Sequence, residues 1–442
     1  MTPKPDQVNS EDKLPADTEV AIIGGGIIGA SAALLLAERG IPTALFEKGI
    51  IAGEQSSRNW GWCRQQGRDP RELPLIVESM RLWRQLSRRV AADTGFVTCG
   101  IASLATSQSR MSAFEEWVSQ ARQHGINTEL IDSKGVHAVL PGAIGVWHGA
   151  LYTPEDGRAE PTLAVPAIAR AAQNQGSQIF TGTAVRSIET AAGHISGLVT
   201  EKGAIRCNSV ILAGGAWSGL FCRNLGIQLP QLKVRSSVLR TQPLAGGPGV
   251  STSGPGFAVR QRADGGYTVA HRDVVRHDLV PDSFRLLRPF WPLIRMSWQQ
   301  LRLNVGHRFL DELCCTTSWQ PDDVTPFERC RILNPSPNRA ELRRALNNLS
   351  QVFPAFKTIQ VAERWAGMID ATPDVIPVIS TVPALPGLVV ATGFSGHGFG
   401  IGPAAGQLAA ELATATTPIV DPTDFNHNRL IDGSLMTPTT TP

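Results

Sequence analysis

The amino-acid sequence predicts an α/β protein with a mostly parallel sheet in one domain and a second, α+β domain. A glycine-rich turn joins two apolar strands near the start of the chain, and two later apolar strands also run into glycine loops. Strands of a parallel sheet, buried on both faces, have this continuous apolar character. The length of 442 residues is well above the ~150 residues of a typical domain, so we expect two domains.

The composition excludes several classes of protein. With 42% hydrophobic and 18% charged residues, the chain is globular. Its 41 basic and 38 acidic residues are too balanced for a nucleic-acid-binding surface, so we expect no nucleic-acid partner. The seven Cys residues lack CxxC spacing, which argues against a disulfide framework and a metal site. Residues 1–18 are polar, so we expect no signal peptide and a cytoplasmic location.

The first unit of the chain is a strand, a turn, a helix and a second strand. The uncharged run 20–37 just reaches the ~18 residues of a membrane span. However, Gly24, Gly26 and Gly29 within it have the G-x-G-x-x-G spacing, which favours a βαβ dinucleotide-binding unit. The predicted elements are a strand over 19–23, a helix over Ile27–Glu38 and a strand over 41–46.

Each glycine of this motif has a physical role in binding a dinucleotide. Gly24 allows the sharp turn, Gly26 lets the backbone approach a pyrophosphate, and Gly29 lets the helix lie close to the strand. The N–H groups at the start of the helix, near Ile27 and Ile28, can then hold the phosphates. The alternative is a glycine-rich turn that serves packing only.

Glu47 and the later glycine loops narrow the class of dinucleotide. Glu47 follows Gly24 at the offset where an acidic residue accepts hydrogen bonds from ribose hydroxyls. An acidic residue there disfavours the 2′-phosphate of NADP, but it does not distinguish NAD from FAD. The apolar strands over 210–213 and Leu388–Thr392 are expected in the same parallel sheet. A helix predicted over 402–413 would direct its positive end toward a reduced flavin.

These motifs resemble a known family, the FAD-dependent amino-acid and amine oxidoreductases related to D-amino acid oxidase, sarcosine oxidase and glycine oxidase. Besides the N-terminal glycine unit, the similar stretches are VILAGGAWS, ATPDVIPVI and ATGFSGHGFG, at 210–218, 371–379 and 391–400. The resemblance covers nearly the whole chain. It implies FAD as the cofactor and a glutathione-reductase-like FAD domain beside a substrate domain with a mixed or antiparallel sheet.

The same resemblance implies a discontinuous arrangement of the two domains. The FAD domain would comprise 19–60, 161–224 and 371–430. The substrate domain would comprise 61–160 and 225–370, with an insertion at 283–328 and tails at 1–18 and 431–442.

One branch of the family is especially similar, the membrane-associated L-amino acid deaminases of the Proteus type. The similar stretches are IAGEQSSR, VTEKGAIRCNSVILAGG and VFPAFK, at 51–58, 199–215 and 352–357. The insertion resembles that branch's extra module. The N-terminal anchoring helix of the branch has no counterpart in the sequence, so we do not expect constitutive membrane attachment.

The resemblance assigns cofactor contacts position by position. The ADP half of FAD would be held by Gly24, Gly26, Ile27, Ile28, Gly29, Glu47 and Lys48. The loop that reaches the flavin and its pyrophosphate would supply Ser56, Ser57, Arg58 and Asn59. The adenine, the middle of the cofactor and the flavin ring would be met by Val185, Gly214, Trp217, Gly393, Gly396, His397, Gly398, Phe399 and Gly400. Gly367 is a further predicted cofactor contact, at the position where relatives with a covalent flavin carry a Cys, so we expect non-covalent FAD.

The substrate contacts would come from the second domain. The sequence DGGY at 264–267 predicts a hairpin turn that leads into a strand over 267–271. Arg272 follows that strand at the position where the deaminases hold the substrate carboxylate, and a guanidinium can grip a carboxylate with two hydrogen bonds. The alternative is a surface Arg paired with Asp273 or Asp278.

The sequence departs from the deaminases at one substrate position. Where they carry a carboxylate-contacting Gln, this chain has Trp62. Either Gln65 or Gln66 replaces that Gln, or the pocket is more aromatic. Trp365 and Phe394 are the candidate pocket walls. The alternative for both is an ordinary place in the core.

Residues 283–313 mix aromatic and basic side chains. The aromatic residues are Phe290, Trp291, Trp298 and Phe309, and the basic ones are Arg285, Arg288, Arg295, Arg302 and Arg308. This mixture predicts a peripheral contact with an anionic membrane. The alternative is an amphipathic module that packs on its own substrate domain.

The residues and the resemblance together predict oxidative deamination of an L-amino acid substrate to a 2-oxo acid and ammonia, by hydride transfer from Cα to the flavin. Such a transfer needs orientation more than a protein base, and His271 is the only candidate base. The alternatives are a D-amino acid dehydrogenase, a secondary-amine (sarcosine- or proline-type) oxidase, and an FAD subunit that only carries electrons. Sarcosine oxidases have an oxygen-activating Lys where this chain has Thr268, so we expect a quinone of the respiratory chain rather than O2 as electron acceptor.

Overall fold

The computed structural model describes residues 2–433 and residue 438. Most of the predicted tail 431–442 therefore lies outside the described residues. In chain order the strands are β1 Val20–Ile23, β2 Thr43–Phe46, β3 Trp62–Cys63, β4 Val97–Thr98, β5 Ile101–Ala105, β6 Glu129–Ile131, β7 Gly149–Thr153, β8 Gly157–Arg158, β9 Gln178–Phe180, β10 Val185–Ala191, β11 His194–Thr200, β12 Gly203–Arg206, β13 Ser209–Leu212, β14 Leu232–Thr241, β15 Ser251–Gly254, β16 Phe257–Gln261, β17 Tyr267–Ala270, β18 Val275–Asp278, β19 Leu301–Asn304, β20 Val361–Ala371, β21 Val378–Thr381 and β22 Leu388–Thr392.

The α-helices connect these strands. In chain order they are α1 Ile27–Glu38, α2 Gln55–Arg58, α3 Leu73–Arg89, α4 Gln108–Gln123, α5 Ser133–Val139, α6 Pro161–Asn174, α7 Ser218–Asn224, α8 Pro281–Arg285, α9 Leu287–Ser297, α10 His307–Leu313, α11 Pro326–Arg329, α12 Arg339–Val352 and α13 Gly398–Ala413.

A six-stranded sheet contains the predicted βαβ unit. Its strand order is β21-β22-β13-β1-β2-β9. Pairing is parallel from β22 to β9, and only β21 runs antiparallel to its neighbour. The prediction that the strands after residues 210 and 388 join the sheet of the first glycine unit is confirmed.

The apolar run that also matched a membrane span is a core helix. Helix α1 is buried on every side except at Glu38, as expected for a helix that is hydrophobic all round. It packs closely on α13, because a Cβ on Gly406 would lie 2.6 Å from the carbonyl oxygen of Ile28. Within the described residues, no helix combines the length and the apolar character that crossing a membrane requires.

A ten-stranded mixed sheet forms the second layer. Its order is β19-β18-β14-β17-β16-β15-β5-β7-β6, with β20 also paired to β14. Most pairs are antiparallel, whereas β15 with β5 and β18 with β19 are parallel. The predicted hairpin is present between β16 and β17, where Gly265 has φ +79° and the Asp264 carboxylate accepts a hydrogen bond from Gly266 N. Two three-stranded sheets, β10-β11-β12 and β3-β8-β4, complete the fold.

The insertion has one packed face and one exposed face. Phe290 and Leu286 are buried against Leu232 and Ala371 of the large sheet. Other apolar side chains of the insertion are exposed: Phe284, Leu287, Trp291, Met296, Trp298, Leu303, Val305, Leu310 and Leu313. The segment therefore packs on the large sheet and leaves an apolar surface uncovered.

Candidate functional site

A cleft lies at the carboxyl ends of β1, β2 and β13. It encloses about 1240 Å³ of space between atoms, part of it open to solvent. Many of the predicted cofactor residues line it: Gly24, Gly26, Ile27, Ile28, Glu47, Lys48, Ser56, Asn59, Val185, Gly214, Trp217, Gly396, Gly398 and Phe399. The structure thus gathers into one cleft residues that are more than 370 positions apart in the chain.

The glycine turn at one end of the cleft has no room for side chains. Gly24 has φ +110°, and a Cβ there would lie 2.4 Å from the carbonyl oxygen of Ala213. A Cβ on Gly29 would lie only 2.0 Å from the carbonyl oxygen of Gly24. At the start of α1, Ile27 N donates to Ser56 Oγ at 2.9 Å, so the loop of Ser56 lies directly against the helix end.

Glu47 is held at the cleft wall by two backbone groups. Its Oε2 accepts from Gly25 N at 2.8 Å and its Oε1 from Gly49 N at 2.7 Å. Burial raises the pKa of Glu47, against the lowering effects of Lys48 and the two backbone donors. Because an ionised carboxylate offers about four lone-pair sites, two remain for a ligand in the cleft.

Lys48 and Trp217 form a wall of the cleft. Lys48 Nζ binds Glu54 Oε1 at 2.7 Å and two backbone carbonyls at 2.9 Å, and it lies 4.4 Å from the centre of the Trp217 ring. Trp217 Nε1 also donates to Glu54, at 3.1 Å. The charge of Lys48 is therefore already neutralised, which suits it to a structural role in the wall.

Seven predicted cofactor residues do not line this cleft: Gly29, Ser57, Arg58, Gly367, Gly393, His397 and Gly400. Arg58, predicted to lie on the loop that reaches the flavin and its pyrophosphate, donates through its Nη atoms to the carbonyl oxygens of Leu333, Ala366 and Gly53. Ser57 lines a second cavity.

The loop that follows β22 is tied to the segment before α3. His397 Nδ1 lies 3.2 Å from Glu72 Oε2, Glu72 Oε1 lies 3.3 Å from Arg68 Nη1, and Arg68 Nη2 donates to the His397 carbonyl. Burial lowers the pKa of His397 despite the neighbouring carboxylate. Burial alone would raise the pKa of Glu72, but His397 and Arg68 lower it.

Helix α13 begins at Gly398, four residues before its predicted start. The run Gly398–Gly402 has low helix propensity, which is why the sequence predicted a loop there. Packing on α3 overrides that propensity. The Gly400 carbonyl accepts from Ser79 Oγ and Trp83 Nε1, both at 2.8 Å.

Arg272 is a largely buried residue without a close carboxylate. Its side chain is 22% exposed, and Asp273 is at the outer limit for an ion pair, 4.0 Å away. The alternative partner Asp278 instead pairs with Arg235 and Arg308. Arg272 Nη1 donates to Ser253 Oγ at 2.7 Å.

The prediction that Gln65 or Gln66 contacts the substrate is contradicted by their hydrogen bonds. Gln66 Nε2 donates to Ile101 O, Leu151 O and Thr153 Oγ1, and its Oε1 accepts from Ser103. Gln65 is buried and donates to Asp156 through both its backbone and its side chain. Both glutamines are framework residues that hold Asp156, a carboxylate whose burial raises its pKa to about 6.

The aromatic candidates are divided between core and cavity. Phe394 lines the cleft. Trp365 is buried, donates to Arg58 O at 3.0 Å and borders the second cavity. Trp62 packs edge-on against Trp60.

His271, the candidate base, is partly buried. Its Nδ1 accepts a hydrogen bond from Asp273 N at 3.3 Å, and burial lowers the pKa of His271.

Sequence reasoning missed two basic residues beside Arg272, namely Arg64 and Arg110. Burial, followed by Arg68 and Arg272, lowers the pKa of Arg64 to about 9. Burial and Arg110 lower that of Arg272 to about 10. No local pattern marked Arg64 or Arg110, since one lies in the short stretch Arg-Gln-Gln and the other on an ordinary amphipathic helix.

With this geometry in view, the chain belongs to the family of FAD-dependent oxidoreductases, whose model matches residues 19–412. FAD is the cofactor of this family. Over 96% of both chains, the structure is similar to the solved L-amino acid deaminase of Proteus myxofaciens in complex with anthranilate, with a TM-score of 0.93 and 36% identity. The L-amino acid deaminase of Proteus vulgaris has a TM-score of 0.92 and 31% identity, and covers 96% of this chain and 100% of its own.

The proteins of similar sequence include enzymes that act on substrates other than L-amino acids. 4-Methylaminobutanoate oxidase (formaldehyde-forming) of Paenarthrobacter nicotinovorans is 28% identical over 265 residues, which is 59% of this chain and 31% of that protein. The chain spans about a quarter to a third of the length of several curated relatives that it matches.

The residues in the cleft fit FAD. Gln55 Oε1 is a buried acceptor in the cleft wall with no hydrogen-bond partner among the described residues. Glu47 retains free lone pairs, and the turn at Gly24 is closed to any side chain. An elongated ligand with hydroxyl, N–H and phosphate groups satisfies all three features.

Proposed function

We propose that this protein deaminates L-amino acids oxidatively, giving 2-oxo acids and ammonia. The observation that carries the proposal is the similarity to L-amino acid deaminases over nearly the full length of both chains. When bound, FAD would supply the hydride acceptor for oxidation at the substrate Cα. The protein binds the cofactor, holds the substrate carboxylate and shields the reacting atoms from water.

The proposed cofactor site runs from Glu47 to the loop before α13. Glu47 would accept hydrogen bonds from the ribose hydroxyls, and the turn at Gly24 and Gly26 would hold the pyrophosphate. Phe394 and Phe399 border the end of the cleft nearest the α13 loop. The buried, partnered position of His397 makes it a support for that loop rather than a base.

Arg272 binds the substrate carboxylate in this proposal. Three features support the role: its side chain is mostly buried, its Nη1 is oriented by Ser253, and its nearest carboxylate is 4.0 Å away. A guanidinium held in this way retains its Nε and Nη2 donors for a carboxylate ligand.

The test combines a substrate screen with one substitution. Both enantiomers of several amino acids are mixed anaerobically with the FAD-loaded protein, and flavin bleaching is followed. We expect bleaching by L-enantiomers and release of ammonia. Arg272→Met should raise KM and lower kcat/KM, because the loss of one partner of a buried charged pair costs about 2–5 kcal/mol of binding free energy. Arg122→Met, on the exposed face of α4, should have no effect. Bleaching by D-enantiomers alone, or by no free amino acid, would refute the proposal.

A secondary-amine oxidase is the second candidate. It is favoured by the similarity to 4-methylaminobutanoate oxidase. The same assay with sarcosine, L-proline and N-methylated amino acids separates the two, because a secondary-amine enzyme reacts faster with these than with the parent primary amines.

We also propose that the exposed face of the insertion rests on anionic lipid at the inner face of the cytoplasmic membrane, where the electron acceptor is a quinone. Trp291 and Trp298 are 53% and 65% exposed there. Arg288 and Arg295, on the same helix, are exposed and have no ion pair in the described part of the chain. Exposed aromatic side chains next to unpaired arginines suit the lipid interface.

Vesicle sedimentation tests this surface. The protein should sediment with phosphatidylserine-containing vesicles and much less with pure phosphatidylcholine. Trp291→Ser with Trp298→Ser should abolish sedimentation, while Val146→Ser, at an exposed apolar position elsewhere, should not. Equal sedimentation of all three proteins would exclude the surface as the contact.

A further inference from the structure

Three arginines near the proposed substrate position lack the carboxylate partners that a buried guanidinium usually has. In the part of the chain that the structure describes, neither Arg64 nor Arg110 forms an ion pair, and Arg272 has only Asp273, at 4.0 Å. Arg68, four residues further along the chain, is paired with Glu72 at 3.3 Å. The three arginines of the cluster therefore contrast with their neighbour Arg68, whose charge is paired.

A chain of hydrogen bonds connects two members of the cluster. Arg272 Nη1 donates to Ser253 Oγ at 2.7 Å, which lies 3.0 Å from Ser103 Oγ. Ser103 donates to Gln66 Oε1 at 2.6 Å, and the carbonyl of Gln66 accepts from Arg64 Nη1. Arg64 and Arg272 are therefore positioned by one shared framework.

Several side-chain donors of the cluster form no hydrogen bond with the described residues. Within that part of the chain, the Arg64 guanidinium donates only through Nη1, to the carbonyls of Gln66 and Gly67, and the Arg272 guanidinium only through Nη1, to Ser253. Their remaining Nε and Nη2 groups, and the whole guanidinium of Arg110, are accessible rather than sealed in the core. Arg110 lies over the ring of Phe114, 5.0 Å from its centre, and the charge of Asp273 acts on it without an ion pair among the described residues.

Arg64 is also close to the cofactor cleft. The backbone around Arg64 N packs against Gly400, where a Cβ would lie 3.3 Å from that nitrogen. The preceding residues Gly398 and Phe399 line the cleft. The backbone at Arg64 therefore lies next to the loop that borders the cofactor cleft.

We infer that Arg64 and Arg110 form, together with Arg272, a site for a second acidic group, so that the substrates of this protein are amino acids with an acidic side chain. The inference rests on the proposed function, because it takes Arg272 as the ligand of the α-carboxylate. One carboxylate can satisfy one guanidinium in a bidentate way. Three clustered cations with free donors are complementary to a substrate that carries two anionic groups.

The first experiment uses pairs of substrates that differ only in charge. Anaerobic flavin reduction is measured with L-glutamate against L-glutamine and L-aspartate against L-asparagine. The wild-type protein should show a kcat/KM at least ten-fold higher for the acid of each pair. Arg64→Met and Arg110→Met should each remove most of this preference, mainly through KM for the acids, and Arg122→Met should leave it unchanged.

Two results of this experiment would overturn the inference. One is a wild-type preference for the amides. The other is an equal loss for acid and amide in Arg64→Met, because this would mean that Arg64 and Arg272 hold the same single carboxylate.

The second experiment does not depend on turnover. Calorimetry compares the binding of succinate with that of butyrate, which has the same chain length and one carboxylate. Succinate should bind at least ten-fold more tightly, and Arg64→Met should abolish the difference. If this holds while no amino acid reduces the flavin, the site stands and the proposed function fails. If neutral amino acids reduce the flavin and succinate binds no better than butyrate, the function stands and the acidic site is refuted.

Discussion

Gly29→Ala tests whether the close approach of α1 to the glycine turn is what shapes the cofactor cleft. A Cβ at position 29 would lie 2.0 Å from the carbonyl oxygen of Gly24, whereas ordinary contacts begin at about 3.4 Å. The obstacle is backbone, so it cannot rotate away, and the helix and turn must separate by roughly 1.4 Å. Such overpacking costs about 1–3 kcal/mol, only part of which is offset by the ~1 kcal/mol that Ala contributes over Gly in a helix.

The assay measures two quantities on the apo protein. The Tm should fall by up to a few degrees, because a net loss of up to about 2 kcal/mol is spread over a large domain. The Kd for FAD, from quenching of flavin fluorescence, should rise at least ten-fold, since the displaced turn is the one that faces the pyrophosphate. Gly249→Ala is the matched control, because its Cβ would meet no atom within 4 Å. Wild-type Tm and Kd in Gly29→Ala would refute the reasoning.

Four further outcomes are expected. Glu47→Ala should weaken FAD binding by about 1.5–3 kcal/mol without loss of fold when FAD is supplied, and an unchanged Kd would exclude Glu47 as a ribose ligand. FAD should separate completely from acid-precipitated protein, because position 367 offers no thiol; yellow colour in the pellet would show a covalent link. Reoxidation of the reduced flavin by air-saturated buffer should be slower than turnover, because Thr268 is neutral and cannot stabilise a developing superoxide charge as a lysine does. Arg262 donates a hydrogen bond to Thr268 at 3.3 Å. Fast reoxidation with stoichiometric hydrogen peroxide would identify an oxidase. Burial lowers the pKa of His397, so at mildly acidic pH the unfolded chain is protonated at this residue while the folded protein is not. The neutral His397 therefore contributes fully to the free energy of unfolding above pH ~6.5, and this contribution decreases as the pH falls. His397→Asn should therefore flatten the decrease in Tm between neutral and mildly acidic pH, and an unaltered pH profile would contradict this assignment.

The sequence by itself determined the elements whose signals are local. The strand before Gly24, the helix Ile27–Glu38 and the hairpin at 264–267 each depend on spacings of a few residues that set backbone geometry directly. The pairing of the strands predicted over 210–213 and Leu388–Thr392 was also predictable, because continuous apolar strands are typical of a parallel sheet that is buried on both faces. The motifs shared with the family added the prediction that the cofactor is FAD.

Only the tertiary structure decided which polar side chains face the site. Gln66 and Arg58 lie next to motif residues in the sequence, but long-range carbonyl and hydroxyl partners turn them into framework residues. Arg64 and Arg110 are 46 positions apart in the chain, and only the tertiary fold brings both close enough to Arg272 for their charges to interact. The direction of a side chain depends on which distant groups satisfy its hydrogen bonds, and no local pattern in the chain carries that information.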